Sequence, residues 1–445
     1  MIIRSISGVR GLVDTHLNGE EVRKYARALH HQLSVGVIII GRDSRPSGDW
    51  LADAFVEELL HLGRDVIGCG IVPTPTVQFL VEHSEAAGGV VITASHNPIE
   101  WNGLKFIRSD GTFFRDGEWQ ALFQLVDHPV KSPDGQSFGV FLPDENAVLK
   151  HVLHIVSLKF LNLKEIRKRK FKVVVDAVNG AGSDALPQLL ESLGCSVTRV
   201  NCDASGEFTR GPEPLPEHLQ DLCRQVVETN ADVGLAVDPD ADRLAVVSEK
   251  GIPLGEEYTL VLAAESYLKT VKKPEVLVTN LSSSLALEKM AANYNSSVRR
   301  AAVGEINVVE EMLRCGANLG GEGNGGVILK AAHLGRDSLV GAAMILSRMA
   351  LEQIPISQIH ATLPQFKIVK DRIKLRDLEF GKILKITKTV FADGEVNTVD
   401  GIKFSWSDRW IHMRKSNTEP IVRIYAEGPT VEIARELIQT VKDRL

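Results

Sequence analysis

The chain has 445 residues, of which 44% are hydrophobic, and it carries a formal net charge of −6. That length predicts about three or four domains at roughly 100–200 residues each, and the charge argues against a nucleic-acid or membrane-surface protein. The five cysteines are scattered without a CxxC pair, which favours free thiols over a disulfide framework or a zinc site. With no apolar signal core and no apolar run of membrane-spanning length, the sequence predicts a cytoplasmic protein.

An apolar run, a polar turn and a segment of helical periodicity follow one another three times along the chain. The three copies lie at 36–60, 172–194 and 275–294, and a second Val- or Ile-containing strand follows each of them. Ser, Asp, Asn or Gly fill the turns, as suits turns and helix N-caps. Because strands that alternate with helices form βαβ units, we predict three related mixed α/β domains with mainly parallel sheets.

The pattern changes after about residue 365. Residues 401–428 alternate like antiparallel strands, and 429–445 have the periodicity of an amphipathic helix, which predicts a smaller C-terminal α+β domain. We therefore expect an α/β protein of four domains around a central cleft. The predicted domains are 1–145, 146–248, 249–364 and 365–445.

Four polar loops follow predicted strands, and ligands of open α/β sheets bind at such strand ends. The first, TASHNP at 93–98, places Ser95 and His96 after a buried strand, with Lys105 ten positions after Ser95. Ser95 is either a turn residue or a nucleophile and phosphate carrier. The Gly-x-Ser-x-Gly motif of a hydrolase nucleophile elbow is absent, which argues against a hydrolase of that type. A phosphoserine would need cations or a metal to offset roughly −1.5 to −2 charges, and Lys105 and His96 are the nearby candidates.

The second loop, DPDADR, contains Asp238, Asp240 and Asp242 at alternate positions. Three carboxylates this close repel one another, and a hard divalent cation with oxygen ligands relieves the repulsion. The loop is not an EF-hand, because the glycine and terminal glutamate are missing. The sequence therefore predicts a Mg²⁺ site with room for a phosphate oxygen, and the alternative is a solvated acidic turn.

The third loop, GGEGNGG at 320–326, formally fits a dinucleotide fingerprint. A strand-like segment follows it instead of a helix, so we reject that interpretation. Glu322 and Asn324 suit sugar hydroxyls, since one accepts hydrogen bonds and the other both donates and accepts. The alternative is a plain glycine turn.

The fourth loop lies at 413–427 and concentrates hydrogen-bond donors. Arginine forks match phosphate oxygens, and hydroxyl and amide groups complete a cradle. No Walker loop occurs in the chain, and the alternative is a charged hairpin. The candidate phosphate ligands are Arg414, Ser416, Asn417, Thr418 and Arg423.

The four loops resemble, in order and over nearly the whole chain, those of the α-D-phosphohexomutases. TASHNP resembles the phosphoserine loop of that family, DPDADR its metal loop, GEGN its sugar loop and RKSNTEP its phosphate loop. The resemblance implies that Ser95 is the phosphorylated serine. It also implies that one Mg²⁺ is bound by the Ser95 phosphate together with Asp238, Asp240 and Asp242.

The resemblance assigns further roles at matching positions. Arg243 and Lys105 would contact the transferring phosphoryl group, with Lys105 assisting proton transfer, and Arg10 would be an early active-site arginine. Glu322 and Asn324 would bind sugar hydroxyls, although the family often has serine at the position of Asn324. The phosphate that is not reacting would be bound by Arg414, Ser416, Asn417, Thr418 and Arg423.

The implied activity interconverts hexose 6-phosphates and 1-phosphates through a bisphosphorylated sugar, in a monomer or homodimer. The loops look most like those of phosphoglucosamine mutases. A dual phosphomannomutase/phosphoglucomutase, a Mg²⁺-dependent phosphatase and a non-catalytic phosphosugar-binding protein are the alternatives. The segment at 301–312, which resembles the specificity segment of the family, has Glu305 and no histidine or lysine. Glu305 or Glu322 could favour a 2-amino group electrostatically.

Overall fold

A computed structural model describes residues 2–130, 138–374, 380–415 and 421–445. The N-terminal domain is built on a seven-stranded sheet of order β1-β2-β6-β5-β3-β4-β7. Its elements are β1 (Ile3–Ser5), β2 (Gly8–Leu12), α1 (Gly19–Gln32), β3 (Ile38–Arg42), α2 (Ser47–His61), β4 (Val66–Ile71), α3 (Thr74–Glu82), β5 (Gly88–Ile92), β6 (Trp101–Arg108), α4 (Asp116–Asp127) and β7 (Phe141–Pro143).

The second and third domains each contain a four-stranded sheet. The second comprises α5 (Ala147–Ser157), α6 (Leu163–Arg169), β8 (Lys172–Asp176), α7 (Gly182–Ser192), β9 (Ser196–Val200), a 3₁₀ turn (Pro216–His218), α8 (Gln220–Glu228), β10 (Val233–Val237) and β11 (Leu244–Ser248). The third comprises α9 (Glu257–Val271), β12 (Val276–Asn280), α10 (Ala286–Ala292), β13 (Ser297–Ala301), α11 (Glu305–Cys315), β14 (Leu319–Glu322), β15 (Gly326–Leu329), α12 (Ser338–Glu352) and α13 (Ile356–Thr362).

One four-stranded arrangement recurs in all three domains. The strand orders are β4-β3-β5-β6, β9-β8-β10-β11 and β13-β12-β14-β15. In each set the first three strands are parallel and the last is antiparallel. The predicted three related α/β domains are thus confirmed, because strands covered by helices on both faces read as continuous apolar runs in the sequence.

The C-terminal domain has a different, wholly antiparallel sheet of order β16-β20-β19-β18-β17. Apolar side chains from two helices and one face of the sheet form its separate core, which confirms the predicted smaller α+β domain. Its elements are β16 (Lys367–Lys374), α14 (Phe380–Val390), β17 (Glu395–Asn397), β18 (Ile402–Ser405), β19 (Trp410–Lys415), β20 (Ile421–Gly428) and α15 (Val431–Lys442).

The second and third domains share one continuous hydrophobic core, in which α12 is almost entirely buried. Within the described ranges no single helix is long and apolar enough to span a membrane, although α12 and α13 pass that test together across a 90° bend. All five cysteines are free, as the sequence predicts.

A buried chain of hydrogen bonds joins the first three domains. The His151 ring lies 3.0 Å from the Thr76 hydroxyl through Nδ1 and 3.0 Å from Asp337 Oδ2 through Nε2. His333 Nε2 contacts the same carboxylate oxygen at 3.1 Å. Burial opposes ionisation of Asp337, but the two imidazoles outweigh it and hold its pKa below the usual range. The three groups lie close enough to hold a metal ion, yet their mutual hydrogen bonds already account for the arrangement.

Candidate active site

A cleft of about 750 Å³ lies where the four domains meet. Three of the loops at the cleft occupy equivalent places in the three α/β repeats. They are the connections β5–β6, β10–β11 and β14–β15. The recurring topology therefore brings the predicted phosphoserine, metal and sugar loops to one place. Among the lining residues are Arg10, Ser95, His96, Lys105, Glu213, Arg243, Asn280, Glu305, Glu322, Asn324, Arg336, Lys370, Arg414 and Arg423.

The loop that carries Ser95 is held from beneath by Arg45, a fully buried residue that sequence reasoning missed. Ser95 has a left-handed backbone conformation, with φ of 51°, which costs free energy for a residue other than glycine. The Arg45 guanidinium offsets this cost by donating to four backbone carbonyls of the loop. These are Ser95 O at 2.6 Å, Asn97 O at 2.7 Å, Pro98 O at 2.5 Å and Trp101 O at 3.0 Å.

The Ser95 hydroxyl faces both the metal loop and His96. Its Oγ lies 3.3 Å from Asp238 Oδ2 and 3.3 Å from His96 Nδ1. Burial, followed by the charge of Arg243, lowers the pKa of His96 well below its ordinary value, and Arg243 donates to His96 Nδ1 at 3.0 Å. His96 is thus a neutral hydrogen-bond acceptor beside Ser95, not the cation that the sequence suggested.

The three aspartates of the metal loop converge, with their ligand oxygens within 4.8 Å of one another. Asp240 Oδ2 accepts from the Thr74 hydroxyl at 2.6 Å and from Lys105 at 2.6 Å. Asp242 Oδ2 accepts from Arg336 at 2.6 Å and from Lys105 at 3.2 Å. The other oxygen of each, Oδ1, is buried and accepts no hydrogen bond from the described residues.

These two oxygens without a hydrogen-bond partner fit a hard divalent cation, which prefers carboxylate and other oxygen ligands. Burial, followed by the charges of Asp242 and Asp240, raises the pKa of Asp238 well above its usual range. A divalent cation would remove that repulsion. The donor set of the metal loop therefore fits a divalent metal ion.

Besides Arg336, three cations lie beside Ser95 and the triad. Burial opposes the charge of Lys105, but Asp240 and Asp242 outweigh it and raise its pKa. Arg243 donates to Glu213 at 2.6 Å. Arg10 donates to Asn97 Oδ1 at 2.7 Å, and burial lowers its pKa to about 10, so it stays protonated at neutral pH.

The sugar loop presents Glu322 through a network of its own. Glu322 Oε1 accepts from Asn280 at 2.7 Å and from the Gly304 amide at 2.9 Å, and Oε2 accepts from Arg336 at 2.9 Å. Asn324 Oδ1 is buried and has no partner within the described part of the chain. Both residues line the cleft, so their spare acceptor capacity faces the position of a bound ligand.

The fourth domain contributes a pair of arginines. Arg414 and Arg423 are opposite each other on β19 and β20, and both line the cleft. Ser416, Asn417 and Thr418 lie outside the described residues, so their predicted phosphate contacts stay predictions.

Arg336 is the second functional-site residue that sequence reasoning missed. It precedes α12, is buried, and contacts carboxylates of three separate segments. Its neighbours in the chain, GRDS, form an ordinary helix-start pattern in which Asp337 is the N-cap. The only signal in the sequence is an excess of acidic residues in the loops that meet here.

The repeated α/β domains, the α+β domain that completes the cleft and a serine beside an acidic triad define an enzyme of phosphoryl transfer. Comparison with known proteins then identifies the family. Four domain models of the phosphoglucomutase/phosphomannomutase family match this chain. Alpha/beta/alpha domain I matches residues 2–130, domain II 149–251, domain III 255–366 and the C-terminal domain 367–444.

Individual relatives align with the chain along nearly its whole length. A "Probable phosphoglucosamine mutase" of Methanopyrus kandleri is 34% identical over 434 residues, which cover 97% of this chain and 95% of that protein. A "Phosphoglucomutase/phosphomannomutase" of Thermococcus kodakarensis is 34% identical over 443 residues, covering 97% and 96%. The crystal structure of a phosphoglucomutase/phosphomannomutase family protein from Burkholderia thailandensis has a TM-score of 0.86 at 26% identity, covering 100% of this chain and 98% of that one.

The chain belongs to the phosphoglucomutase/phosphomannomutase family, the α-D-phosphohexomutases. It is an isomerase of the intramolecular phosphotransferase type, as the resemblance of the four loops predicts.

Proposed function

We propose that this enzyme interconverts glucosamine 6-phosphate and glucosamine 1-phosphate through phospho-Ser95 and a bisphosphorylated sugar. The observation that carries the proposal is the position of Ser95 Oγ, 3.3 Å from Asp238 in an acidic triad with two unpartnered oxygens. A phosphate on Ser95 would complete the oxygen ligands of a Mg²⁺ ion bound there. The roles given below to the individual residues are part of the proposal.

In the first half-reaction, the bond between phosphorus and Ser95 Oγ breaks as a sugar hydroxyl oxygen bonds to phosphorus. The hydroxyl proton passes, with the assistance of Lys105, to Ser95 Oγ, the oxygen released from phosphorus. The bisphosphate then turns over in the cleft, and Ser95 takes back the other phosphoryl group, so phosphate moves between O6 and O1. When bound, Mg²⁺ would offset charge on the transferring group.

The residues of the chain act by position and charge. Arg243 and Arg10 stabilise the transferring phosphoryl group. The guanidinium groups of Arg414 and Arg423 bind the phosphate that is not reacting. Lys105 donates hydrogen bonds to Asp240 and Asp242, so it supplies positive charge beside the transferring group and assists proton transfer.

His96 is the neutral acceptor in hydrogen-bond contact with Ser95 Oγ. Arg243 also donates to Nδ1 at 3.0 Å, so the ring orients the Ser95 hydroxyl without taking up its proton.

The choice of amino sugar rests on the loop resemblance and on the name of the Methanopyrus relative. Glu305 accepts one hydrogen bond at each oxygen, from Gln78 and Arg336 at 3.0 Å, and Glu322 Oε2 accepts one from Arg336. Both carboxylates therefore keep acceptor capacity for a 2-amino group, as does Asn324 Oδ1, which has no hydrogen-bond partner among the described residues. A dual phosphomannomutase/phosphoglucomutase is the second candidate, since the Thermococcus relative carries that name.

A mutase assay with Mg²⁺ and a trace of sugar bisphosphate tests the proposal. It compares glucosamine 6-phosphate, glucose 1-phosphate and mannose 1-phosphate, with Ser95→Ala in parallel. A lead in kcat/KM for glucosamine phosphate supports the amino-sugar assignment, and similar rates on glucose and mannose phosphates support the dual enzyme. Full activity of Ser95→Ala would refute the role of Ser95, and inorganic phosphate released as fast as isomer forms would indicate a phosphatase.

A further inference from the structure

One buried guanidinium connects the two loops to which the proposed function assigns the metal and the sugar. Arg336 donates from Nη2 to Asp242 Oδ2 at 2.6 Å, from Nη1 to Glu322 Oε2 at 2.9 Å and from Nε to Glu305 Oε2 at 3.0 Å. Each carboxylate comes from a different segment, and all are at most 5% exposed at their side chains. The three bonds come from the three nitrogen atoms of the planar guanidinium, a geometry that a lysine ammonium cannot reproduce.

Each bond determines which carboxylate oxygen remains available. At Asp242 the bond goes to Oδ2, the oxygen that Lys105 also contacts at 3.2 Å, and leaves Oδ1 without a hydrogen-bond partner among the described residues. At Glu322 it gives Oε2 a single bond, while Oε1 already accepts two. Gln78 from α3 secures the other oxygen of Glu305. The guanidinium thus fixes the orientation of one carboxylate in the metal loop and one in the sugar loop.

We propose that Arg336 is a positioning residue that couples hexose binding at Glu322 to cation binding at Asp242. A hydroxyl or amine that bonds to Glu322 changes the hydrogen bond between Glu322 Oε2 and Arg336 Nη1. Because the guanidinium is rigid, its orientation toward Asp242 changes with it. The cation and the hexose phosphate then each bind more tightly when the other is present. By linkage, each raises the affinity for the other by the same factor. The inference rests on the proposed function of the two loops.

The sign of the effect separates positioning from simple charge. Arg336 is a cation beside a cation site, so removing its charge alone would tighten metal binding. Loss of an outer partner of a metal ligand instead weakens binding, typically by about 10- to 100-fold. Arg336→Gln therefore gives opposite results under the two explanations.

The experiment measures Mn²⁺ binding by electron paramagnetic resonance, with and without saturating glucose 6-phosphate, for wild type, Arg336→Gln, Arg336→Lys and Glu305→Gln. Arg348→Gln is the matched control. Arg348 is also buried, lies on α12 and pairs with Glu265 at 2.9 Å, but it does not line the cleft. Steady-state kinetics and thermal unfolding accompany each variant.

We expect Arg336→Gln to bind Mn²⁺ about 10- to 100-fold more weakly and to lose the tightening by glucose 6-phosphate, with KM raised. Arg336→Lys keeps the charge and does not restore the coupling, whereas Glu305→Gln, which leaves the other two contacts, retains it. Arg348→Gln lowers the melting temperature and changes neither Mn²⁺ affinity nor KM.

Unchanged or tighter Mn²⁺ binding by Arg336→Gln, or wild-type coupling in Arg336→Lys, would overturn the inference. So would a wild-type enzyme whose Mn²⁺ affinity ignores the sugar phosphate. If Arg336→Gln does not fold, the comparison of Arg336→Lys with Glu305→Gln decides the question. Absence of mutase activity in the wild type would refute the proposed function instead, and the Mn²⁺ titrations would still report on Arg336.

Discussion

Replacing Arg45 by lysine should damage both stability and catalysis, because this side chain supports the loop of Ser95. The guanidinium makes five hydrogen bonds, four to loop carbonyls and one to Asp43. A lysine ammonium has three donors, so at least two of those acceptors lose their partner. At about 1–3 kcal/mol for each unsatisfied buried acceptor, the free energy of unfolding should fall by roughly 2–6 kcal/mol.

The catalytic effect follows from the same contacts. Freed of its carbonyl bonds, Ser95 can relax from its left-handed conformation, and a displacement of about 1 Å at a reacting atom costs on the order of 100-fold in rate. Urea unfolding gives the stability, and kcat with mass-spectrometric occupancy of phospho-Ser95 gives the catalytic effect.

Arg64 offers a matched control in the same domain. It too is buried and donates to four backbone carbonyls, of Ser34, Gly36, His30 and Leu33, but far from the cleft. In Arg64→Lys at least one of the four acceptors loses its partner, so this variant should lose about 1–3 kcal/mol of unfolding free energy and keep its kcat. If Arg45→Lys folds and turns over no more slowly than Arg64→Lys, the proposed support of the Ser95 loop is wrong.

Two further predictions concern the metal loop and the fourth domain. Thr74→Val keeps the shape of the side chain but removes its 2.6 Å bond to Asp240, so the Mg²⁺ concentration for half-maximal activity should rise about tenfold; an unchanged value would contradict the assignment. Burial lowers the pKa of His412 to about 4, and its neutral ring bridges Ser282 and Asp400 O. The stability from this neutral ring is present above pH 6.5 and is lost as pH falls toward 4, by about 3 kcal/mol at most. Urea unfolding at pH 7 and 5 should therefore show a smaller difference for His412→Asn than for wild type.

The α/β repeats could be predicted from sequence because each depends on local order. Strand, turn and helix follow one another within about 25 residues. The loops that carry Ser95 and Asp238 follow short apolar runs bounded by turn residues, which favour buried strands. The three loops of the α/β domains could be grouped because ligands of open α/β sheets bind at strand ends. The fourth loop lies between antiparallel strands, and its phosphate-binding residue types and its resemblance to the family joined it to the others.

Arg45 and Arg336 could not be found in this way. Arg336 meets Asp242 across 94 positions and Arg45 meets Ser95 across 50, and nothing in either neighbourhood distinguishes a buried guanidinium from a surface one. The charge suggested for His96 could not be checked from sequence for the same reason. Burial, and then the approach of Arg243 from another domain, lower the pKa of His96, and neither is visible in the residues around it.

The hydrogen-bond chain from Thr76 through His151 to Asp337 also has a mechanical consequence. Together with the shared core of the second and third domains, it ties the first three domains into a single block that carries Ser95, the triad and Glu322. The fourth domain has a separate core, but hydrogen bonds hold it to the third domain, among them Lys403 Nζ to Leu281 O at 2.7 Å and the Leu285 amide to Glu427 Oε2 at 2.8 Å. Under the proposed function, a bisphosphate that turns end for end would therefore keep a fixed floor for its chemistry, and making space for the turn would cost the contacts between the third and fourth domains.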